Sequence, residues 1–82
     1  MFLSVLTPDV EYFSGKITSI KVPGAAGQFQ VLKNHAPIVS ALVDGAVEVK
    51  TEEGKLMKFA IKGGFIEVLN NKVALLVQGI SG

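Results

Sequence analysis

Apolar side chains recur at every second position along most of this chain, and turn-forming residues interrupt the pattern every several residues. A period of two predicts strands, because successive side chains of a strand point to opposite faces. Phe2 to Thr7 forms a first strand that stops at Pro8-Asp9. Glu11 to Ser14 forms a second stretch, with Gly15 marking a bulge or bend. Ile17 to Val22 follows, with Thr18, Ile20 and Val22 expected on one face and Ser19 and Lys21 on the other. Pro23-Gly24-Ala25-Ala26-Gly27 is expected as a loop, since proline offers no ladder donor and glycines favour turns.

Gln28 to Leu32 resumes a strand, and Lys33-Asn34-His35-Ala36-Pro37 breaks it. Ile38 to Leu42 precedes a tight Asp44-Gly45 turn, and Ala46 to Thr51 then sets Val47, Val49 and Thr51 opposite Glu48 and Lys50. Glu52-Glu53-Gly54 closes a hairpin into Lys55 to Ile61, where Met57, Phe59 and Ile61 share a face opposite Lys58 and Lys62. Gly63-Gly64 marks a kink or a close backbone approach, and Phe65 to Leu69 is another strand. Asn70-Asn71 is a two-residue hairpin turn of the kind that needs positive φ, returning into Lys72 to Val77. That last strand is apolar on both faces, Val73, Leu75 and Val77 on one and Ala74 and Leu76 on the other. Both sides therefore need cover, from a second sheet or from another protein.

The fold class is all-β, a sandwich or barrel, in one domain over residues 1–82. An apolar content of 49% with only 18% charged residues excludes the disordered class. The chain has no cysteine, which fits a reducing compartment and removes disulfides as staples. Met1 to Asp9 lacks the basic start and small-residue cleavage site of a secretory leader and reads as a strand. No apolar run approaches the roughly 18 residues of a membrane span, so direct membrane insertion is not expected.

Charge and chemistry narrow the function classes. Eight basic residues, all lysines and scattered singly, face seven acids. Nucleic-acid binders carry basic stripes, often arginine-rich, interleaved with aromatics, and neither feature is present. One histidine, no cysteine and no serine elbow leave no constellation for a nucleophile and its base. His35 stands alone, and Asp9, Glu11, Asp44, Glu48, Glu52, Glu53 and Glu67 are dispersed, so no metal or cofactor site is expected. Gly24 to Gly27 lacks the following helix and lysine of a phosphate cradle. His35, between Asn34 and Pro37, is expected to hydrogen-bond locally or to lie at a contact surface rather than to act as a proton switch.

Read in order, Phe13-Ser14-Gly15, Val22-Pro23-Gly24-Ala25-Ala26-Gly27, Asn34-His35-Ala36-Pro37, Asp44-Gly45 and Gly63-Gly64-Phe65-Ile66-Glu67-Val68 make a series that covers nearly the whole chain. This series resembles the amino-terminal domain of the epsilon subunit of F-type ATP synthase, the delta subunit in mitochondria. The resemblance implies a flattened β-sandwich of about ten short strands without catalytic residues. It implies a rotor subunit of the central stalk that binds the gamma subunit and the c-ring and couples ion-driven rotation to ATP synthesis in the alpha/beta head. Such a subunit is peripheral on the cytoplasmic face of a bacterial inner membrane, or on the matrix or stromal side in an organelle.

Carried onto this sequence, the ring-facing loops match Ala26, Gly27 and Gln28 and the segment Asn34, His35, Ala36 and Pro37. The gamma-facing region matches Thr7 and Pro8 together with Ile38, Val39 and Ser40. Gln28 stands where many members of that family carry an acid, which argues against a charged ring contact there. The family's carboxy-terminal helical hairpin, inhibitory and in some members ATP-binding, is not encoded in residues 1–82. A second class, a biotinyl or lipoyl carrier, finds an echo in Leu56-Met57-Lys58. Lys58 lies inside an alternating strand rather than on a hairpin tip, however, and the quasi-repeat of such carriers is missing.

Overall fold

The computed structural model describes residues 1–81, and every regular element among them is a strand. These are β1 (Phe2–Leu6), β2 (Glu11–Gly24), β3 (Gly27–Leu32), β4 (Ile38–Leu42), β5 (Gly45–Thr51), β6 (Leu56–Lys62), β7 (Gly64–Leu69), β8 (Lys72–Leu76) and β9 (Gly79–Ser81). The first sheet runs from the amino-terminal half of β2 through β1, β8 and β7 to β4. The second runs from β3 through the carboxy-terminal half of β2 to β5, β6 and β9. β1 and β8 are parallel neighbours, and the remaining ladders are antiparallel. Because β2 serves both sheets, nine strands supply ten strand segments, in keeping with the flattened sandwich expected from the sequence.

The dual role of β2 follows from length. Its 14 residues, if straight, would span roughly 46 Å at a rise of about 3.3 Å per residue. The longest dimension of the molecule is 25 Å, so β2 has to fold over. It turns at a bulge: Ile17 pairs with Thr51 but Ser19 pairs with Lys50, leaving Thr18 as an extra residue without an opposite number. The Thr18 hydroxyl donates to the Lys50 carbonyl at 3.3 Å.

This bulge corrects the expected facing of the segment. Thr18 is exposed, and Ile17 and Ile20, three residues apart, both point into the core. An inserted residue shifts the alternation by one position, which pure periodicity cannot anticipate.

A second correction concerns Pro23 to Gly27. The ladder continues through Pro23↔Gln28 and Gly24↔Gly27, leaving only Ala25-Ala26 as a turn. Proline is tolerated because its carbonyl, and hence the N–H it lacks, faces away from β3, where Val43 donates to the Pro23 carbonyl at 2.9 Å. The pairing of β2 with β5 has already ended at Lys21↔Glu48 on that side. The turn at Asp44-Gly45 does not join paired strands: β4 pairs with β7 while β5 pairs with β2 and β6, so the chain crosses between sheets there. Asp44 holds the crossing by accepting the Gly63 N–H at 2.9 Å.

The expected hairpins at Glu52-Glu53-Gly54 and Asn70-Asn71 are present, with φ of +87° at Gly54, +50° at Asn70 and +62° at Asn71. Between the sheets lies one core, in which Leu3, Val5, Ile17, Ile20, Val22, Val47, Val49, Ile66 and Leu75 are almost wholly shielded. Thr51, the inward residue at the end of β5, is buried too and bonds through its hydroxyl to the Lys55 N–H at 3.0 Å. Tyr12 leans on Phe59 with ring centroids 5.1 Å apart, joining the first half of β2 to the second sheet.

Candidate functional site

The two outer faces of the sandwich differ in kind. On the second sheet, Lys21 stands across from Glu48 and Glu48 across from Lys58, with Lys50 and Lys62 nearby. Opposite charges facing one another across strands make a solvated face, as in most soluble sheets.

The outer face of the first sheet is apolar. Its register lines up three rows across the strands: Phe2, Lys72 and Leu69; Ser4, Ala74, Glu67 and Val39; and Leu6, Leu76, Phe65 and Ala41. Phe2, Leu76, Leu69, Phe65 and Val39 are between 41% and 68% exposed. Glu67 is the one charge in the middle row, and Lys72 sits at the margin. A shallow groove of about 490 Å³ crosses this face beside Phe2, Ser4, Glu67, Leu69 and Ala74. Contiguous apolar surface of this sort on a small domain marks an interaction site.

Backbone packing fixes the face. Gly64, at φ +127°, lets β7 begin hard against β8: a Cβ there would stand 2.8 Å from Val77 Cα and would run into the Leu76 carbonyl. At the other end, the Phe2 N–H donates to the Asn71 carbonyl at 2.9 Å, holding β1 against the β7–β8 turn.

The residues singled out in the sequence are not gathered in one place. Ala26, Gly27 and Gln28 are exposed at the β2–β3 tip, which touches the end of β4 where Ala25 N–H donates to the Ala41 carbonyl at 3.0 Å. Asn34, His35, Ala36 and Pro37 lead into the opposite end of β4, about 13 Å away along that strand. Thr7 and Pro8 lie near Gly64, Phe65 and Leu76, toward the same end as the β2–β3 tip. Thr7 is occupied locally, its hydroxyl oxygen accepting from the Asp9 N–H at 3.3 Å and the Val10 N–H at 3.1 Å.

Of the three β4 residues singled out in the sequence, only Val39 reaches the outer face, since Ile38 packs against the core and Ser40 shares its side of the strand. His35 is half-buried, with Nδ1 2.7 Å from the Ala36 carbonyl and its N–H donating to the Leu32 carbonyl. Local hydrogen bonding is one of the two roles expected of it, a place at a contact surface being the other.

Sequence reasoning missed Phe2, Phe65 and Leu69 as members of the face. The signal was present: β1 and β7 carry apolar residues at both parities, Phe2 and Leu6 beside Leu3 and Val5, Phe65 and Leu69 beside Ile66 and Val68. It was recognised only in β8, where Leu76 is indeed exposed while Val73, Leu75 and Val77 are buried. Among the described residues no group of three or more His, Asp or Glu side chains could hold a metal ion, and no helix is long and apolar enough to cross a membrane.

The profile of one family, described as the ATP synthase delta/epsilon chain β-sandwich domain, matches residues 1–81. The chain belongs to this family. It is 42% identical over 79 residues to the ATP synthase epsilon chain of Chlorobium limicola, covering 96% of this chain and 90% of that one. It is also 42% identical over 76 residues to the epsilon chain of Leptospira borgpetersenii, where it covers 93% of this chain and 59% of the relative. A chain of a mitochondrial ATP synthase OSCP/F1/c-ring structure from Euglena gracilis superposes with a TM-score of 0.87 at 25% identity, covering 96% of this chain and 51% of that one. A mitochondrial ATP synthase central stalk/c-ring structure from Tetrahymena thermophila shares the fold, with a TM-score of 0.83 at 18% identity over 99% of this chain and 65% of that one. An epsilon chain is a stalk component of ATP synthase rather than a catalytic subunit.

Proposed function

We propose that the apolar outer face of the first sheet docks the gamma subunit and that the chain passes the rotation of the c-ring to the catalytic head as part of the central stalk. The observation that carries this reading is the asymmetry of the two faces: Phe2, Val39, Phe65, Leu69 and Leu76 lie in adjoining rows on one, whereas the other carries Lys21, Glu48 and Lys58 in facing pairs, with Leu32 and Leu56 exposed on its β3 and β6 strands. A permanent interface removes apolar area from water and is poor in charge at its centre, which is what the first face offers.

The segments assigned from the sequence regroup around that face. Pro37 and Val39 border a groove with Glu67 and Leu69, which supports a gamma contact for Pro37 at the end of the Asn34 to Pro37 segment assigned to the ring. The Ala26 to Gln28 tip, exposed and uncharged, is the other ring contact in this reading. Thr7 and Pro8 border the gamma face at the end nearer the tip, and Ile38 and Ser40 support Val39 from beneath. In this role the subunit is peripheral to the membrane, on the cytoplasmic face in a bacterium or on the matrix or stromal side in an organelle.

Mixing the purified chain with its cognate gamma subunit tests the reading, and co-elution as a one-to-one complex is expected. Absence of a complex at micromolar concentrations of both would overturn it.

A further inference from the structure

Glu67 is the one charge inside the apolar face, and the register defines what surrounds it. Its outward neighbours along β7 are Phe65 and Leu69, and across the ladders stand Val39 of β4 and Ala74 of β8. Of the diagonal strand neighbours, Ala41 and Leu76 are apolar and Lys72 alone is charged. Side chains opposite one another on neighbouring strands have β-carbons about 5 Å apart, so a surface that covers Val39 and Leu69 covers Glu67 with them. The carboxylate also borders two grooves, one running past Phe2, Ser4 and Ala74 and the other past Pro37 and Val39.

In the free chain Glu67 is exposed, and water solvates its charge. Docking removes that water. A carboxylate buried without a counter-charge opposes the very contact that its apolar neighbours favour, whereas one met by a hydrogen-bonding cation does not. Interface centres are depleted of charge for this reason, and an acid that remains at one needs a partner. Lys72 is poorly placed for that role. It stands at the margin of the face beside Phe2, exposed, where its stem can lie on apolar surface while the ammonium stays in water.

We propose that Glu67 receives a basic side chain of the gamma subunit, whose guanidinium or ammonium group enters the groove beside Phe2 and Ala74 and pairs with the carboxylate within the contact. The pair rests on the docking of gamma proposed above and adds a charge requirement to it. Apolar fit alone then does not suffice, because a surface that offers no cation at that point leaves Glu67 desolvated and unpaired.

Calorimetric titration of the cognate gamma subunit into wild type, Glu67→Gln, Glu67→Asp and Lys72→Met tests this. Glu67→Gln keeps the size of the side chain and removes its charge, at an exposed position where the isolated chain should melt as wild type does. It should bind at least about tenfold more weakly, as expected for the loss of one member of a buried charge pair. Glu67→Asp keeps the charge and should recover most of that loss, and Lys72→Met should bind as wild type does. A loss smaller than about tenfold in Glu67→Gln, or tighter binding, overturns the proposal, since the carboxylate would then serve only to hydrate the free face. So does an equal loss in Glu67→Asp, which would make shape rather than charge the cause, or in Lys72→Met, which would make Lys72 the counter-charge. Failure of wild type to bind gamma overturns the docking itself, whereas these outcomes leave it standing.

Discussion

Asn71 and Asn34 clasp one another across 37 positions of sequence: the Asn71 Oδ1 accepts the Asn34 N–H at 2.7 Å, and the Asn71 Nδ2 donates to the Asn34 Oδ1 at 3.0 Å. Both residues sit at positive φ, +62° and +67°, where asparagine is better tolerated than most side chains. The clasp ties the loop carrying His35 and Pro37 to the β7–β8 turn at one end of the apolar face. Asn71→Ala removes both bonds and leaves a β-carbon in the left-handed region, for a combined loss of about 1–3 kcal/mol. A fall in melting temperature on the order of 5–15 °C is expected by circular dichroism. Asn71→Gly relieves the backbone while losing the clasp, so its melting temperature should fall between wild type and Asn71→Ala.

Glycine positions divide into those that need space and those that need only φ. Gly64→Ala drives a β-carbon into the Leu76 carbonyl and Val77 backbone, and the β7–β8 packing cannot yield without breaking register. A loss of more than about 4 kcal/mol is expected, the range of exceptional single substitutions. Gly54→Ala, at φ +87° with nothing within 4 Å, should cost only about 1–2 kcal/mol. Urea titration of the two variants checks the contrast, and equal losses would contradict it.

Much of the fold was legible where alternation is strict and uninterrupted. Val47, Val49 and Thr51 on β5, with Glu48 and Lys50 between them, and Phe59 and Ile61 on β6, flanked by Lys58 and Lys62, lie buried as their spacing requires. The bulge at Thr18 was not legible, because nothing in its residue type distinguishes an extra residue from a paired one. Pro23 misled for a physical reason: whether a strand tolerates proline depends on which edge the missing N–H faces, and that is set by partners distant in sequence. The apolar face was half legible. Two-sided apolar strands announce that both sides want cover, but not which side the second sheet supplies.

The same two-sidedness predicts opposite outcomes for neighbouring residues. Leu75→Ala empties a fully buried site and should cost about 2–5 kcal/mol. Leu76→Asp, next along β8 but facing outward, should change stability of the isolated chain by no more than about 1 kcal/mol. Calorimetry on both variants separates core from face.

Calorimetric titration of the cognate gamma subunit into wild type, Phe65→Asp and Lys58→Glu tests the central claim most directly. Phe65 lies on the apolar face of the first sheet, whereas Lys58 lies on the charged face of the second. Phe65→Asp should weaken binding by about 2 kcal/mol or more, roughly thirtyfold, as expected of an interface hot spot, while Lys58→Glu should match wild type. Wild-type affinity in Phe65→Asp, or an equal loss in Lys58→Glu, would contradict the account.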